Sequence, residues 1–166
     1  MGLPIYTLEC GEGMLSLSPR PSADTISSWI VTLCEARVTH VVSLLAQSEI
    51  VEHGLQDEGD RLKNADIAFL HFPIEDFGIP NCQKLNDLIE RLLDVQNAGG
   101  HTLIHCAKGV GRTGTIASCL LIALGRKAGD AVQIISDARG QLVPETDAQR
   151  QFILDFAAQW VDHRNN

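Results

Sequence analysis

The stretch HTLIHCAKGVGRTGT, residues 101–115, supports two readings that exclude each other. Counted from Gly109, the spacing Gly109-x-Gly111-x-x-Gly114 is that of a dinucleotide-binding turn. Counted from Cys106, five residues separate a thiol from Arg112, and Thr113 comes next. A dinucleotide turn needs a second strand after its helix, with an Asp or Glu about 20 residues on to hold the ribose hydroxyl. Here the apolar helical run after Arg112 ends at Gly125, and GRKAGD leads into another helical pattern without a strand or a suitable acid. A Walker loop is excluded because no Gly-Lys-Ser/Thr occurs. The glycine spacing does not encode cofactor binding.

The cysteine reading accounts for every residue. A loop between the apolar strand TLIHC (102–106) and a helix starting near Arg112 can turn the N–H groups of Ala107, Lys108, Gly109, Val110, Gly111 and Arg112 toward an anion. The helix N-terminus adds partial positive charge, and the glycines allow the tight curl. That setting favours the thiolate of Cys106, the nucleophilic form. Arg112 offers a planar fork to two phosphate oxygens, which carry the transition-state charge. Thr113 can donate its hydroxyl to the sulfur and ease its departure.

The rest of the chain is consistent with one soluble α/β domain over residues 1–166. It is 45% hydrophobic and 20% charged, ordinary values for a globular protein. No apolar run approaches the roughly 18 residues of a membrane span, and MGLPIYTLEC lacks signal-peptide and myristoylation features, so a cytoplasmic location is expected. Five cysteines without a Cys-x-x-Cys pair argue for reduced thiols and against a zinc site. Net charge is −8, from 21 acidic and 13 basic residues, which disfavours nucleic-acid and anionic-membrane partners. An anionic substrate must therefore be held by a local positive site.

HVVSLL (40–45) and IAFLHFPI (67–74) read as two further buried strands. Helical patterns lie between them: Asp24 as cap followed by Ile26, Trp29, Ile30 and Leu33, then Leu85, Leu88, Ile89, Leu92 and Leu93 before Gly99-Gly100. Two more helices are predicted, from Asp130 to about Ala138 and from about Thr146 to His163, the latter facing inward through Phe152, Ile153, Phe156, Ala157 and Trp160. Alternating strands and helices followed by helices alone predict a three-layer α/β domain. Cys10, Cys34, Cys82 and Cys119 are expected in the core.

His105-Cys106-x5-Arg112-Thr113-Gly114 resembles the signature of cysteine-dependent protein tyrosine phosphatases, in particular the small atypical dual-specificity group. PRP near residue 20, VVSLL, the Asp76-Phe77 turn and ETDAQ near the end follow the family's order. The low-molecular-weight phosphatases share Cys-x5-Arg but carry it near the N-terminus. The resemblance implies a mostly parallel central sheet flanked by helices, with the phosphate loop between a central strand and a buried helix. It implies hydrolysis of phosphotyrosine, with phosphoserine and phosphothreonine in reach, in a phosphorylated protein partner. The route would run through a phosphocysteine on Cys106, with no cofactor or metal, in a monomer.

It also assigns supporting residues. The general acid falls at Asp76, about 30 residues before the cysteine, with Glu75 as its neighbour and rival. His105 would order the loop and help keep the thiolate charged, and Lys108 would add positive potential at the rim. Glu145 to Gln149 matches the segment that positions water, although the wider family often begins it with Gln rather than Glu145. Cys82 is a candidate for a protective disulfide with Cys106. Two rival functions remain. A phosphoinositide phosphatase would carry lysines where this chain has Ala107 and Val110, and a phosphate-binding pseudophosphatase would lack the cysteine, arginine or acid.

Overall fold

The computed structural model describes residues 2–165, with side chains through Val161. Its five strands are β1 (Tyr6–Cys10), β2 (Gly13–Pro19), β3 (His40–Ser43), β4 (Ala68–His71) and β5 (His101–Cys106). They form one sheet in the order β1-β2-β5-β3-β4. Every pairing is parallel except that of β1 with β2. β5 sits at the centre and is buried along its whole length.

Strand alternation divides the core in two. Val41 and Leu103 face one side, where they meet α1 (Ile26–Glu35), α2 (Gln47–Glu52) and α3 (Glu58–Asn64) through Trp29, Ile50 and Leu62. Val42 and Ile104 face the other side, against α4 (Cys82–Asn97), α5 (Gly111–Ala123), α6 (Ala128–Arg139) and α7 (Asp147–Asn165). All 13 residues of α5 are buried, as its all-round apolar sequence requires. The predicted three-layer α/β domain is therefore the observed architecture.

Several local expectations are corrected. The first helix begins at Ile26, after Thr25 and not after Asp24, because a turn in which Ser22 accepts the N–H groups of Thr25 and Ile26 sets its start. Cys34 is exposed, since it lies one residue past Leu33 and rotates off the buried stripe. Cys10 and Cys119 are buried as expected, and Cys82 is partly so. The β1–β2 hairpin and the short helices α2 and α3 have no counterpart in the sequence reading. β2 escaped notice because two of its buried positions are serines. Ser16 bonds His101 at 2.7 Å, and Ser18 accepts from the Trp29 indole at 3.2 Å.

Candidate active site

The loop of residues 107–110 joins β5 to α5, so Cys106 ends the central strand and Arg112 lies in the first turn of the buried helix. Gly109 has φ +72°, and a Cβ there would stand 2.6 Å from the Ser18 carbonyl oxygen, which leaves only glycine at this position. The backbone N–H groups of Lys108, Gly109 and Val110 donate to no acceptor among the described residues. Gly109 and Val110 are buried. Buried N–H groups without partners are rare, and such groups at a helix N-terminus are suited to receive an anion.

Their orientation is enforced from outside the loop. Arg139, at the end of α6, donates from Nε to the Gly109 carbonyl and from Nη2 to the Lys108 carbonyl, both at 3.0 Å. In a trans peptide the N–H points opposite to the C=O. The N–H groups of Gly109 and Val110 are thereby aimed away from Arg139. The Lys108 side chain is exposed at the rim.

One expected donor is already engaged. The Gly111 N–H bonds Glu145 Oε1 at 3.1 Å, and a Cβ at Gly111 would crowd that oxygen at 2.9 Å and Gln149 Oε1 at 3.1 Å. Gln149 is fully buried; its amide oxygen accepts from the N–H groups of Glu145 and Thr146, and its nitrogen donates to the Gly78 carbonyl at 3.2 Å. Gln149 thus ties the start of α7 to the turn that carries Asp76.

Arg112 is held more elaborately than the sequence suggests. Its guanidinium makes a two-pronged pair with Glu49, Nη1 to Oε2 at 2.7 Å and Nη2 to Oε1 at 2.9 Å. Nη1 also donates to the Ile74 carbonyl at 2.8 Å, and Nη2 to Asp76 Oδ1 at 3.1 Å. Burial opposes the charge, but the Glu49 carboxylate, with Cys106 and Asp76 near it, holds the Arg112 pKa above the ordinary arginine value. In return the Arg112 bond lowers the Glu49 pKa against the opposing effect of its partial burial. Nε is the donor left without an acceptor among the described residues, next to the Nη2 proton whose hydrogen bond Asp76 accepts. Those two directions can serve a phosphate.

Asp76 is brought to the site and Glu75 is not. The Asp76 side chain is half exposed, reaches Arg112, and accepts its neighbour Phe77's N–H at 3.0 Å. Glu75 is exposed, and its backbone carbonyl closes the turn by accepting from Gly78 at 2.8 Å.

His105 and Thr113 depart from their expected contacts. Alternation along β5 sends the His105 ring to the sheet face opposite Cys106. There Nε2 bonds Glu58 Oε1 at 2.6 Å, and the ring stands edge-on to Trp29 at 5.5 Å. The histidine is thus an anchor for the end of the strand. The Thr113 hydroxyl is buried with no hydrogen-bond partner among the described residues, so it does not bond the sulfur in this conformation. All five cysteines are thiols, and the electrostatic neighbour of Cys119 is Cys82. Burial pushes the Cys10 pKa up to about 12 and that of Cys119 well above its ordinary value, so both are held neutral.

Glu49, Glu58 and Arg139 were not found by sequence reasoning. Glu49 left a partial trace, because its carboxylate reaches back to the Ala46 N–H at 2.8 Å, as a glutamate three residues past a helix start often does. Glu58 and Arg139 left none.

Residues 19–155 match the family described as PTP-SAK, Swiss Army Knife protein, DSP-PTPase phosphatase domain. The chain belongs to this family. Cyclin-dependent kinase inhibitor 3 of Rattus norvegicus is 29% identical over 126 residues, covering 75% of this chain and 51% of the relative. The human protein of the same name is 27% identical over 133 residues, covering 79% and 55%. PRL-1 phosphatase of Drosophila melanogaster is 33% identical over 125 residues, covering 74% and 66%. The chain thus spans between half and two thirds of the length of these relatives. Among solved structures, kinase associated phosphatase with its catalytic-site cysteine replaced by serine superimposes at TM-score 0.89, with 22% identity and 98% of both chains covered. PTPMT1 in complex with PI(5)P follows at TM-score 0.77 and 15% identity, covering 96% and 99%. At those identities the structures establish the PTP-SAK chain's fold, which is the phosphatase fold expected from its loop.

Proposed function

We propose that the chain is a protein phosphatase that hydrolyses phosphotyrosine, and phosphoserine or phosphothreonine in a shallow cleft, through a phosphocysteine intermediate. One observation carries the reading: Cys106 ends the strand that leads directly into loop N–H groups with no acceptor among the described residues, and it acts electrostatically on Arg112, which contacts Asp76. The Cys106 thiolate attacks phosphorus while the ester P–O bond breaks, and Asp76 gives its proton to the leaving oxygen. Water then attacks the phosphocysteine and passes a proton to Asp76, the thiolate departs, and phosphate is released. Loop N–H groups and the Arg112 Nε and Nη2 protons hold the equatorial oxygens throughout. Glu145 and Gln149, which meet at Gly111 beside the cradle, position the water. We further propose a cytoplasmic monomer. Among the described residues no helix is long and apolar enough to cross a membrane.

The test uses leaving-group chemistry. A tyrosine leaving group, with a pKa near 10, needs its proton far more than an acidic phenol does. Asp76→Ala should slow phosphotyrosine peptide cleavage by roughly 10²–10⁴-fold and an activated aryl phosphate distinctly less. Glu75→Ala should do neither. The reverse pattern would move the acid by one residue. Preferential turnover of a phosphoinositide over phosphopeptides would replace the protein substrate with a lipid one.

A further inference from the structure

Tyr6 is the only tyrosine of the chain, and it lies on β1 at the sheet edge, in a hairpin that contributes no group to the chemistry above. Its ring nonetheless sits under Arg139, with the guanidinium carbon 4.2 Å from the ring centroid. In the plane of the same guanidinium, Nε and Nη2 donate to two carbonyls, those of Gly109 and Lys108. Among the described residues no carboxylate lies within ion-pair distance of Arg139. This cation therefore differs from Arg112, whose charge is met by Glu49 and Asp76. Arg139 is held by a ring and spends its donors on the loop.

We propose that Tyr6 is a positioning residue of the phosphate cradle, acting through Arg139. The ring fixes the guanidinium by cation–π attraction. The guanidinium pulls the Lys108 and Gly109 carbonyls outward, which aims the N–H groups of Gly109 and Val110 at the anion. Its charge, not neutralised by a carboxylate, also adds positive potential behind the loop. Without the ring, Arg139 is free to leave for water, and the two peptide units lose the contact that fixes their direction. A Gly109 at φ +72° has wide rotational freedom, so the loss would be felt there first. The Tyr6 hydroxyl takes no part. The proposal rests on the reading of this loop as a phosphate cradle.

The experiment is a double-mutant cycle on the whole chain, read as vanadate affinity by calorimetry and as kcat/KM for an aryl phosphate. Tyr6→Leu should weaken vanadate by roughly 3- to 30-fold, the worth of a partly desolvated cation–π contact, and lower kcat/KM in step. Tyr6→Phe and Tyr6→Trp should stay within about two-fold of the parent, because both keep a π face. In an Arg139→Ala background, Tyr6→Leu should cost nothing further, whereas a merely structural role of Tyr6 in the hairpin would persist there. Tyr6→Ile, branched as a strand prefers, takes the place of Tyr6→Leu if that variant does not fold. A folded aliphatic variant with unchanged affinity overturns the proposal, as does a loss that is undiminished in the Arg139→Ala background. If the parent chain itself binds no vanadate, the cradle reading falls and this proposal with it.

Discussion

Removing the Glu49 carboxylate tests the architecture around Arg112 more directly than any change in the loop. The guanidinium is about 1% exposed in its side chain, and Glu49 supplies two of its charge-assisted bonds, at 2.7 and 2.9 Å. Breaking a buried ion pair from one side costs about 3–5 kcal/mol, chiefly because the remaining charge is stranded. Arg112 keeps the Ile74 carbonyl and Asp76, so the low end applies, about 3 kcal/mol for Glu49→Ala. For a domain of this size that is a fall in Tm of about 6–12 °C. Glu49→Gln keeps one acceptor and should lose distinctly less. Vanadate affinity should fall in both, because Arg112 is no longer held with Nε and Nη2 toward the cradle.

The pH dependence fixes the sign. The Arg112 bond lowers the Glu49 pKa in the folded chain. The pair's contribution is therefore fully present above the unfolded carboxylate value, about 4.3, and is lost as pH falls through the lower folded value. Thermal melts at pH 7 and at steps down to pH 3 would show the gap between parent and Glu49→Ala widest at neutral pH and closing below about pH 4. A gap of less than about 2 °C at pH 7, or one that does not close in acid, would falsify this account of how Arg112 is held.

Cys106→Ser should abolish turnover and retain measurable vanadate or tungstate binding, because the loop N–H groups and Arg112 remain; residual catalysis at a substantial rate would end the covalent mechanism. Gln149→Ala should leave a rapid burst of the first product followed by slow steady-state turnover, since the segment proposed to position water loses its tie to Gly78; a uniform loss without a burst would place Gln149 in the first step instead. EDTA should leave activity intact, as the mechanism assigns no step to a metal, and activity lost on chelation and restored by a divalent ion would indicate a different reaction class.

What the sequence disclosed and what it hid follow from distance along the chain. Cys106, the loop and Arg112 belong to one strand–loop–helix unit, so their spacing encodes their geometry and a local motif suffices to find them. The buried apolar runs of β3, β5 and α5 were legible for the same reason: each carries its burial in its own composition. Of the residues that hold the site, Glu58 and Arg139 carry no such mark, and the trace left by Glu49 marks a helix start and not a partner for Arg112. Glu49 meets Arg112 across 63 positions, Glu58 meets His105 across 47, and Arg139 meets Gly109 across 30. A glutamate inside QSEIVE or EGDRLKN looks like any solvated helix residue until the sheet order places it beside a cation or an imidazole. The His105 ring shows the opposite case, in which the period of two along a strand was available from the sequence and decides which face it takes.

The charge balance takes its meaning from the same long-range contacts. On the proposed function, a chain of net charge −8 binds a phosphate dianion against its own field, and Arg112 stands out in the sequence as the cation for that task. In the fold, Arg112 faces Glu49 and Asp76, two carboxylates against one guanidinium. On that reading its part is directional, to present two protons at fixed angles, and not to supply net positive charge. The attraction must come from groups whose charge is not cancelled: the N-terminal turn of α5, the buried N–H groups of Gly109 and Val110, and Arg139 behind them. The Asp76 contact with Nη2 then has a consequence for the reaction. On the proposed mechanism, a phosphate that accepts from Nη2 takes the place of Asp76 on the guanidinium and leaves the Asp76 carboxyl, in its protonated form, free to face the ester oxygen.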